Sequence, residues 1–294
     1  MTILITGAGG FVGENLVNKL LSKGHEIVAL VRSTDSLTNI SKYKSDKFRT
    51  IIADLSKPIK IDFSVSEIVH LAAQIVYPSI TETRFAEKNI VTMANTIRLA
   101  KQLNVKKFIF LSSVSVYGSP KSGILSEGSP LINPSSYGTS KYLGELMLSD
   151  LSGTVSVVNI RIPSVLGKTA NPNFITKISE SALKNEEFFI KNPKSLYNST
   201  IHVDDVCCLI NNLLEKKMTP FQDTINLACN NPIRLIDLAK LVVNELSSRS
   251  KIIIDETPSS SSLISIEKLT NEYNFIPMDV ACAITNFLKD YKNL

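Results

Sequence analysis

The sequence predicts an α/β fold, in which a doubly wound parallel sheet is followed by a small C-terminal lobe. In the first half of the 294-residue chain, short β-branched runs alternate with amphipathic stretches of helical length. This alternation is typical of parallel strands joined by right-handed helical crossovers. The predicted strands are Ile3–Thr6, Ile27–Val31, Thr50–Ala53, Ile68–Leu71, Phe108–Ser112 and Val155–Ile160, and the predicted helices cover 11–23, 82–103 and 136–151.

The alternation ends after Arg161. Segment 162–200 contains three prolines and five asparagines, which predicts loops around one helix. Further along, hydrophobic periodicity predicts helices over 204–215, 234–247 and 278–292, and a strand at Lys251–Ile254.

This second part is too short for another full sheet. We therefore predict a main domain over 1–161 and a substrate-binding lobe over 162–294. Parts of 200–230 are expected to return to the main sheet.

Composition excludes several classes of protein. The net charge is +5 and the lysines are scattered, so nucleic acid is not an expected partner. No run approaches the roughly 18 apolar residues that a membrane helix needs. The chain starts directly on the strand-like Thr2–Ile5, so we expect no signal peptide and a cytoplasmic protein. The four cysteines lack a C-x-x-C spacing, so neither a metal site nor a disulfide framework is expected.

A glycine-rich loop, Thr6-Gly-Ala-Gly-Gly-Phe-Val-Gly13, joins the first strand to the first helix. Its glycines allow a tight turn, a close approach of the backbone to pyrophosphate, and close packing of the helix. The helix N-terminus then offers N–H groups and a positive dipole end to phosphates. We predict a dinucleotide site here, formed by Gly7, Gly10, Phe11, Val12 and Gly13.

The end of the second strand bears on which dinucleotide is bound. A free 2′-hydroxyl on the adenosine ribose usually pairs with an acid at this point. Here the strand ends Leu30-Val31-Arg32-Ser33, and Arg32 could instead pair with a 2′-phosphate, so NADP(H) is favoured over NAD(H). Asp35 would serve the ribose only if the strand were longer, and a solvent-exposed arginine is the plain alternative.

A Tyr-x-x-x-Lys pair on one helix face could carry acid–base chemistry, because the lysine charge would favour the phenolate and lower the tyrosine pKa. The chain contains three such pairs: Tyr43 and Lys47, Tyr117 and Lys121, and Tyr137 and Lys141. The third pair fits best, because it opens a predicted helix at the ligand edge. Ser113, at the end of the fifth strand, could bond a substrate oxygen, or could simply cap the strand end. The three histidines are expected to make structural hydrogen bonds.

Together these motifs resemble the extended short-chain dehydrogenase/reductases, the NAD-dependent epimerase/dehydratase family, which has a Rossmann fold. The resemblance spans nearly the whole chain and includes Ile201-His-Val-Asp-Asp-Val206. It implies that Ser113, Tyr137 and Lys141 are catalytic, that Tyr137 and Lys141 also touch the cofactor, and that Ser113 and Tyr137 touch substrate. The further cofactor contacts that it implies are Asp54, Leu55, Leu71, Ala72, Ala73 and Asn89.

The resemblance implies nucleotide-activated sugars as substrates, and the departures narrow the reaction. The family's 4,6-dehydratases carry Asp-Glu beside the catalytic hydroxyl, where this chain has Val114-Ser115. Enzymes that also epimerise beside a ketone use a Cys–His pair, and no cysteine lies near 113–115. Ser164 replaces an asparagine that helps to hold the nucleotide-sugar, and is the expected substrate contact at that position.

The expected function is NADPH-dependent reduction of a 4-keto nucleotide-sugar. One alternative is a UDP-hexose 4-epimerase with retained NAD. An alternative of another class is a non-catalytic dinucleotide sensor, which would not need Ser113, Tyr137 and Lys141 together. The resemblance also suggests a homodimer formed through the helices at 82–103 and 136–151, although their periodicity fits an internal buried face equally well.

Overall fold

The computed structural model describes residues 1–74, 81–120, 123–217, 219–257 and 261–291. The chain forms two compact units. The first contains the described parts of 1–118, 133–161 and 206–225, and the second contains those of 119–132, 162–205 and the chain from 226 onward.

The strands and helices follow in chain order. The strands are β1 (Thr2–Thr6), β2 (Glu26–Val31), β3 (Phe48–Ile52), β4 (Glu67–His70), β5 (Lys107–Ser113), β6 (Gly123–Leu125), β7 (Ser156–Ile162), β8 (Ser164–Leu166), β9 (Phe188–Lys191), β10 (Leu196–Tyr197), β11 (Thr200–His202), β12 (Gln222–Asn226), β13 (Ile233–Arg234), β14 (Ile252–Asp255) and β15 (Ser262–Ile264). The helices are α1 (Phe11–Ser22), α2 (Glu82–Gln102), α3 (Ser136–Met147), α4 (Phe174–Leu183), α5 (Val203–Glu215), α6 (Leu235–Glu245), α7 (Glu267–Tyr273) and α8 (Val280–Tyr291).

The first unit is built on a seven-stranded sheet with the order β12-β7-β5-β4-β1-β2-β3. Strand β1 pairs in parallel with β2 on one side and with β4 on the other. The order therefore reverses direction beside β1, and ligands of doubly wound sheets bind at the carboxyl ends of the strands at such a point. The predicted fold class is confirmed.

Buried apolar side chains on both sides of the sheet explain why these segments form strands. Leu4, Val28, Ile68, Phe108 and Val157 come from five neighbouring strands and belong to one core cluster. Their near-continuous burial matches the apolar runs seen in the sequence, as expected for parallel strands covered on both faces.

The second unit differs from the prediction of loops around one helix. Besides α4, segment 162–200 contains the strands β8, β9 and β10 and the first residue of β11. They were missed because they have two to four residues and pair with distant parts of the chain: β8 with β11, β9 with β14 and β10 with β13. Such short strands carry too few residues for an alternating pattern.

Three further predictions concern the domain boundary, the end of the last helix and membrane-spanning helices. Residues 119–132, assigned from the sequence to the main domain, lie in the second unit, where β6 pairs with β15. The last helix ends at Tyr291, and position 292 of its predicted span lies outside the described residues. Lys121, from the second Tyr-x-x-x-Lys pair, also lies outside them. Within the described ranges, no helix has the length and apolar character needed to cross a membrane.

Candidate active site

The glycine-rich loop leaves β1 and enters α1 through two tight contacts. Gly7 has a φ of +70°, and a Cβ there would lie 2.8 Å from the Ala72 nitrogen. At Gly13 a Cβ would collide with the Gly7 carbonyl oxygen. These two positions therefore need glycine for the turn and for close helix packing.

The N-terminus of α1 is open. Gly10 is its N-cap residue and has no side chain that could accept a hydrogen bond from the helix. The Glu14 N–H donates the first helical hydrogen bond to the Gly10 carbonyl at 2.8 Å. The N–H groups of residues 11–13 precede this bond, so they form the electropositive end of the helix. The loop therefore fits a pyrophosphate, and the dinucleotide would be held here through Gly10, Phe11 and Val12.

Gly9 also lies in the glycine-rich loop, but the glycine spacing did not predict a role for it. A Cβ there would collide with the Ser36 carbonyl oxygen in the segment after β2. Asn39 from the same segment donates to the Gly9 carbonyl at 3.0 Å. The segment after β2 thus closes over the loop, and the signal that could have revealed this is the glycine pair Gly9-Gly10.

The strand β2 ends where the sequence predicts and does not extend to Asp35. The strand ends at Val31, and Asp35 begins a short 3-10 turn. The exposed Arg32 donates to Gln74 Oε1 at 3.4 Å. The Asp54 pKa is lowered, chiefly by the backbone N–H of Ser56 and in smaller part by the charge of Arg32. Arg32 and Asp54 therefore lie near each other at the carboxyl ends of β2 and β3.

The remaining predicted cofactor contacts lie along the ends of β3 and β4. Leu55 is a buried core residue, and its carbonyl accepts from Asn95 Nδ2 at 2.8 Å. Leu71 and Ala72 are half-buried and Ala73 is exposed. The side chain of Leu55 therefore belongs to the core, whereas Leu71, Ala72 and Ala73 are at least partly accessible.

Asn89 on α2 ties the end of β4 to α3. Its Oδ1 accepts from the Gln74 N–H at 2.7 Å, and its Nδ2 donates to the Gln74 carbonyl at 3.2 Å and to Ser140 Oγ at 3.1 Å. Ser140 in turn donates to the Tyr137 carbonyl at 2.9 Å. Asn89 therefore supports the helix that carries Tyr137 and Lys141.

Ser113 ends β5 and begins a 3-10 turn over Val114–Tyr117. Its Oγ accepts from the Ser115 N–H at 3.1 Å and donates to Ser115 Oγ at 3.1 Å. The capping role considered from the sequence is therefore present. An interaction with the Ser113 side chain also lowers the pKa of Tyr137, so the hydroxyl lies beside the phenol as well.

Tyr137 and Lys141 lie one turn apart on α3, as the spacing predicts. Lys141 is 5% exposed, and its Nζ donates to the Leu111 carbonyl at 2.7 Å and lies 4.8 Å from the centre of the Phe110 ring. The structure thus brings Ser113, Tyr137 and Lys141 together at the carboxyl end of β5.

The expected lowering of the Tyr137 pKa is wrong for the protein in this state. Burial raises the pKa of Tyr137, and the Ser113 side chain opposes that rise without cancelling it. Burial also lowers the pKa of Lys141 to about 8, while the Glu145 carboxylate opposes the fall. Desolvation therefore outweighs the Ser113 hydrogen bond at Tyr137 and the Glu145 charge at Lys141, and the phenol keeps its proton.

Two contacts that the sequence did not reveal hold α3 in place. The Phe85 ring of α2 lies 5.9 Å from the Tyr137 ring, centre to centre. A Cβ at Gly138 would collide with the Ser115 carbonyl oxygen, so the helix approaches the Ser113 turn as closely as a backbone can. The neighbouring sequence Tyr137-Gly138 is the signal that could have suggested this approach.

Two predicted positions belong to the second unit. Ser164 begins β8; its side chain is exposed, and its carbonyl accepts from Thr200 Oγ1 at 3.2 Å. His202 is buried in β11, and its Nδ1 accepts from the Asp204 N–H at 3.3 Å. This bond agrees with the structural role expected of the histidines.

The fold and the Ser-Tyr-Lys cluster define a dinucleotide-dependent short-chain dehydrogenase/reductase of the extended type. Residues 3–228 match the sequence model of the NAD dependent epimerase/dehydratase family. The chain belongs to this family.

Relatives and solved structures agree with that assignment. The chain is 28% identical to GDP-6-deoxy-D-talose 4-dehydrogenase from Aggregatibacter actinomycetemcomitans, over 94% of this chain and 93% of the relative. It is 25% identical to a putative UDP-glucose 4-epimerase from Methanocaldococcus jannaschii, over 86% and 85%. It also superposes on UDP-glucuronic acid 4-epimerase from Bacillus cereus in complex with NAD, with a TM-score of 0.83, 20% identity, and coverage of 100% of this chain and 99% of that one.

Proposed function

We propose that the protein is a reductase of a 4-keto nucleotide-sugar. The observation that carries the proposal is a half-buried Tyr137 that keeps its proton, because desolvation raises its pKa, beside the Ser113 hydroxyl at the carboxyl end of β5. A reductase needs a proton donor in its resting state, and the raised pKa of Tyr137 supplies one.

The chain's own groups have separate tasks in this reaction. The dinucleotide, when bound, supplies the hydride that adds to the carbonyl carbon. The π electron pair of the carbonyl moves to its oxygen, and Tyr137 gives that oxygen its proton. Ser113 steadies the same oxygen by donating a hydrogen bond. The Lys141 ammonium would hold the nicotinamide ribose and supply a positive charge beside Tyr137.

Water elimination is not supported at this site. Val114 and Ser115 follow Ser113 in the 3-10 turn, where the family's dehydratases carry two acids. The Ser115 hydroxyl accepts from Ser113 and has no ordinary acid function near neutral pH. The geometry therefore supports hydride addition to the carbon of one carbonyl group and proton transfer to its oxygen.

We propose NADP(H) as the preferred dinucleotide. The support is Arg32 at the end of β2, the position where an acid would select a free ribose hydroxyl. A planar guanidinium suits a 2′-phosphate. Asp54 also interacts with the charge of Arg32. The preference is therefore tested by comparing the affinities for NADPH and NADH.

A second candidate is nucleotide-sugar 4-epimerisation with retained NAD. It is favoured by the relative from Methanocaldococcus jannaschii, a putative UDP-glucose 4-epimerase that matches most of this chain. An epimerase would first use Tyr137 as a base, for which the phenol would have to lose its proton when the cofactor binds.

The net consumption of NADPH distinguishes a reductase from an epimerase. A reductase consumes one NADPH for each keto-sugar, read from the loss of absorbance of the reduced nicotinamide. An epimerase interconverts UDP-hexoses with no net change in that absorbance. If 4-keto nucleotide-sugars of several bases leave the NADPH absorbance unchanged, the reductase proposal is wrong.

A Tyr137→Phe variant tests the mechanism against the non-catalytic sensor. It removes the transferable proton and leaves the aromatic packing on Phe85. We expect turnover to fall by about 100-fold or more, the usual scale for general acid catalysis, with dinucleotide affinity retained. The matched control is Tyr142→Phe on the same helix. Equal turnover in both variants would contradict the role given to Tyr137.

We further propose a cytoplasmic homodimer that acts on charged, water-soluble metabolites. The family resemblance suggests pairing through α2 and α3. In support, Leu146 on α3 is 49% exposed although α3 also packs against α2 within the chain.

A further inference from the structure

A buried carboxylate lies directly behind the catalytic cluster. Glu145 is 4% exposed and stands one helical turn after Lys141 on α3. It forms a two-pronged pair with Arg161 of β7: Arg161 Nε donates to Oε1 at 3.0 Å and Nη2 donates to Oε2 at 2.7 Å. Such a pair is directional, because both the carboxylate and the guanidinium are planar.

The pair is also connected to the strand and turn that carry Ser113. The Ser112 hydroxyl donates to Glu145 Oε1. On the other side, Arg161 Nη1 donates to the Tyr117 hydroxyl at 3.1 Å, at the far end of the 3-10 turn that Ser113 begins. Ser112 and Tyr117 thus hold both ends of the segment containing Ser113.

The catalytic groups come from two separate elements. Ser113 stands at the end of β5, whereas Tyr137 and Lys141 belong to α3. The Glu145 carboxylate bonds to groups on β5 and β7, and its own carbonyl accepts from Gln222 of β12 at 3.1 Å. A helix held to three strands through one residue has little freedom to shift along the sheet.

We infer that Glu145 and Arg161 are a positioning pair, which sets the alignment of Ser113 with Tyr137 and Lys141. The inference rests on the proposed catalytic role of that cluster. Neither Glu145 nor Arg161 needs to touch substrate, because they act through the turn and the helix that they hold.

The charge of Glu145 adds a second effect on Lys141. The titratable groups that face Lys141 are Tyr137 and Glu145 on its own helix and His70 on β4, and Arg161 stands behind Glu145. His70 is neutral, since burial lowers its pKa to about 3. The Glu145 carboxylate opposes the fall in the Lys141 pKa, so removing its charge would lower that pKa further.

The fold provides a matched control at the opposite edge of the sheet. Glu67 and Lys107 begin β4 and β5, their charged atoms are 3.4 Å apart, and their side chains are 8% and 7% exposed. The side chains of Glu145 and Arg161 are 5% and 6% exposed. Lys107 is six residues from Ser113 along β5, or about 20 Å at the usual rise per residue.

The first experiment compares Glu145→Gln with Glu67→Gln in the full-length protein. Both variants should unfold at lower temperature than the wild type, because each removes the carboxylate charge beside a buried cation. Per folded molecule, Glu145→Gln should lose about 10- to 100-fold in kcat, the scale expected for a small misplacement of reacting groups. Glu67→Gln should keep the wild-type kcat. Equal kcat in the two variants would overturn the inference.

A second readout needs no substrate. The ¹³Cε chemical shift of Lys141, assigned with a Lys141→Arg variant, reports its titration directly. We expect the midpoint to move to lower pH in Glu145→Gln and to stay in place in Glu67→Gln. An unmoved midpoint with a wild-type kcat would refute the positioning role. If the midpoint moves in Glu145→Gln but the wild-type protein reduces no keto-sugar, the proposed function is refuted instead.

A milder variant covers the case in which Glu145→Gln does not fold. Ser112→Ala removes one hydroxyl donor to Glu145 and leaves the charge pair intact. We expect a several-fold loss of kcat, with the KM for NADPH changing less, and recovery in Ser112→Thr, which restores the hydroxyl. A wild-type kcat in Ser112→Ala would count against the inference.

Discussion

The Thr6 hydroxyl and the His70 imidazole meet across the central strands β1 and β4, with Thr6 Oγ1 2.9 Å from His70 Nδ1. The same hydroxyl accepts from the Ala72 N–H at 3.2 Å. The two side chains are 0% and 2% exposed. This contact joins the strand that leads into the glycine-rich loop to the end of β4, next to Leu71 and Ala72.

We predict that His70 makes stability depend on pH in a defined window. Burial, helped by the charge of Lys141, lowers its pKa to about 3 in the folded protein, whereas an unfolded histidine titrates near 6.5. The folded state therefore binds fewer protons, so the stabilising effect is complete above pH 6.5 and is lost as pH falls toward 3. The loss is about 1.4 kcal/mol per pH unit for one such group.

The measurement is urea unfolding between pH 4 and 8 for the wild type and His70→Gln. The wild type should lose stability more steeply below pH 6.5, since the variant lacks the titrating ring. Parallel curves for the two proteins would show that His70 does not contribute.

A Gly9→Ala substitution should weaken dinucleotide binding and stability together. The added methyl would collide with the Ser36 carbonyl oxygen, forcing the segment after β2 away from the loop. Overpacking of this kind costs about 1–3 kcal/mol. Gly128→Ala is the control, because nothing lies within 4 Å of a Cβ there. Thermal unfolding and NADPH titration would measure both effects; a Gly9→Ala protein as stable as the control would disprove the contact.

Arg32 decides the choice of dinucleotide if our proposal is correct. Arg32→Ala should weaken NADPH binding by about 10- to 100-fold, the range expected from losing charge-assisted hydrogen bonds. NADH affinity should change by much less, because NADH lacks the 2′-phosphate. Calorimetric titration of both cofactors gives the ratio. A variant in which both affinities stay as in the wild type would exclude Arg32 from cofactor recognition.

We predict that the Lys141 ammonium sets an upper pH limit for cofactor use. Because its pKa is lowered to about 8, its charge is lost progressively above that pH. We expect kcat/KM for NADPH to decline about tenfold per pH unit well above the pKa. Lys141→Arg, which stays charged, should be less active but flat over the same range. A wild-type profile that is flat to pH 10 would contradict the assignment.

The proposed dimer is tested on α3. Leu146→Glu places a charge on its 49% exposed apolar position and should yield monomers in analytical ultracentrifugation. Leu183→Glu on α4, at 44% exposure in the other unit, is the control and should leave the association unchanged. A wild-type protein that sediments as a monomer would rule the dimer out.

Most of the first unit was predictable because its signals are local. The strands β1, β2, β4 and β5 are largely buried. The glycines of residues 7–13 stand between a strand and a helix, so their place in the chain predicts that they lie at the carboxyl edge of the sheet. The same holds for Tyr137 and Lys141, because helical periodicity places them on one face. The second unit was less predictable, since its strands of two to four residues form only by pairing with distant segments.

The sequence by itself determined the fold class, the family and the membership of Ser113, Tyr137 and Lys141 in one cluster, since each depends on residue type and spacing. Only the tertiary structure decided the state of that cluster. Burial raises the Tyr137 pKa against the expectation from Lys141, and Glu145 on one element meets Arg161 on another, 16 residues further along the chain. Desolvation and contacts between elements depend on what surrounds a residue in space, and no spacing along the chain encodes them.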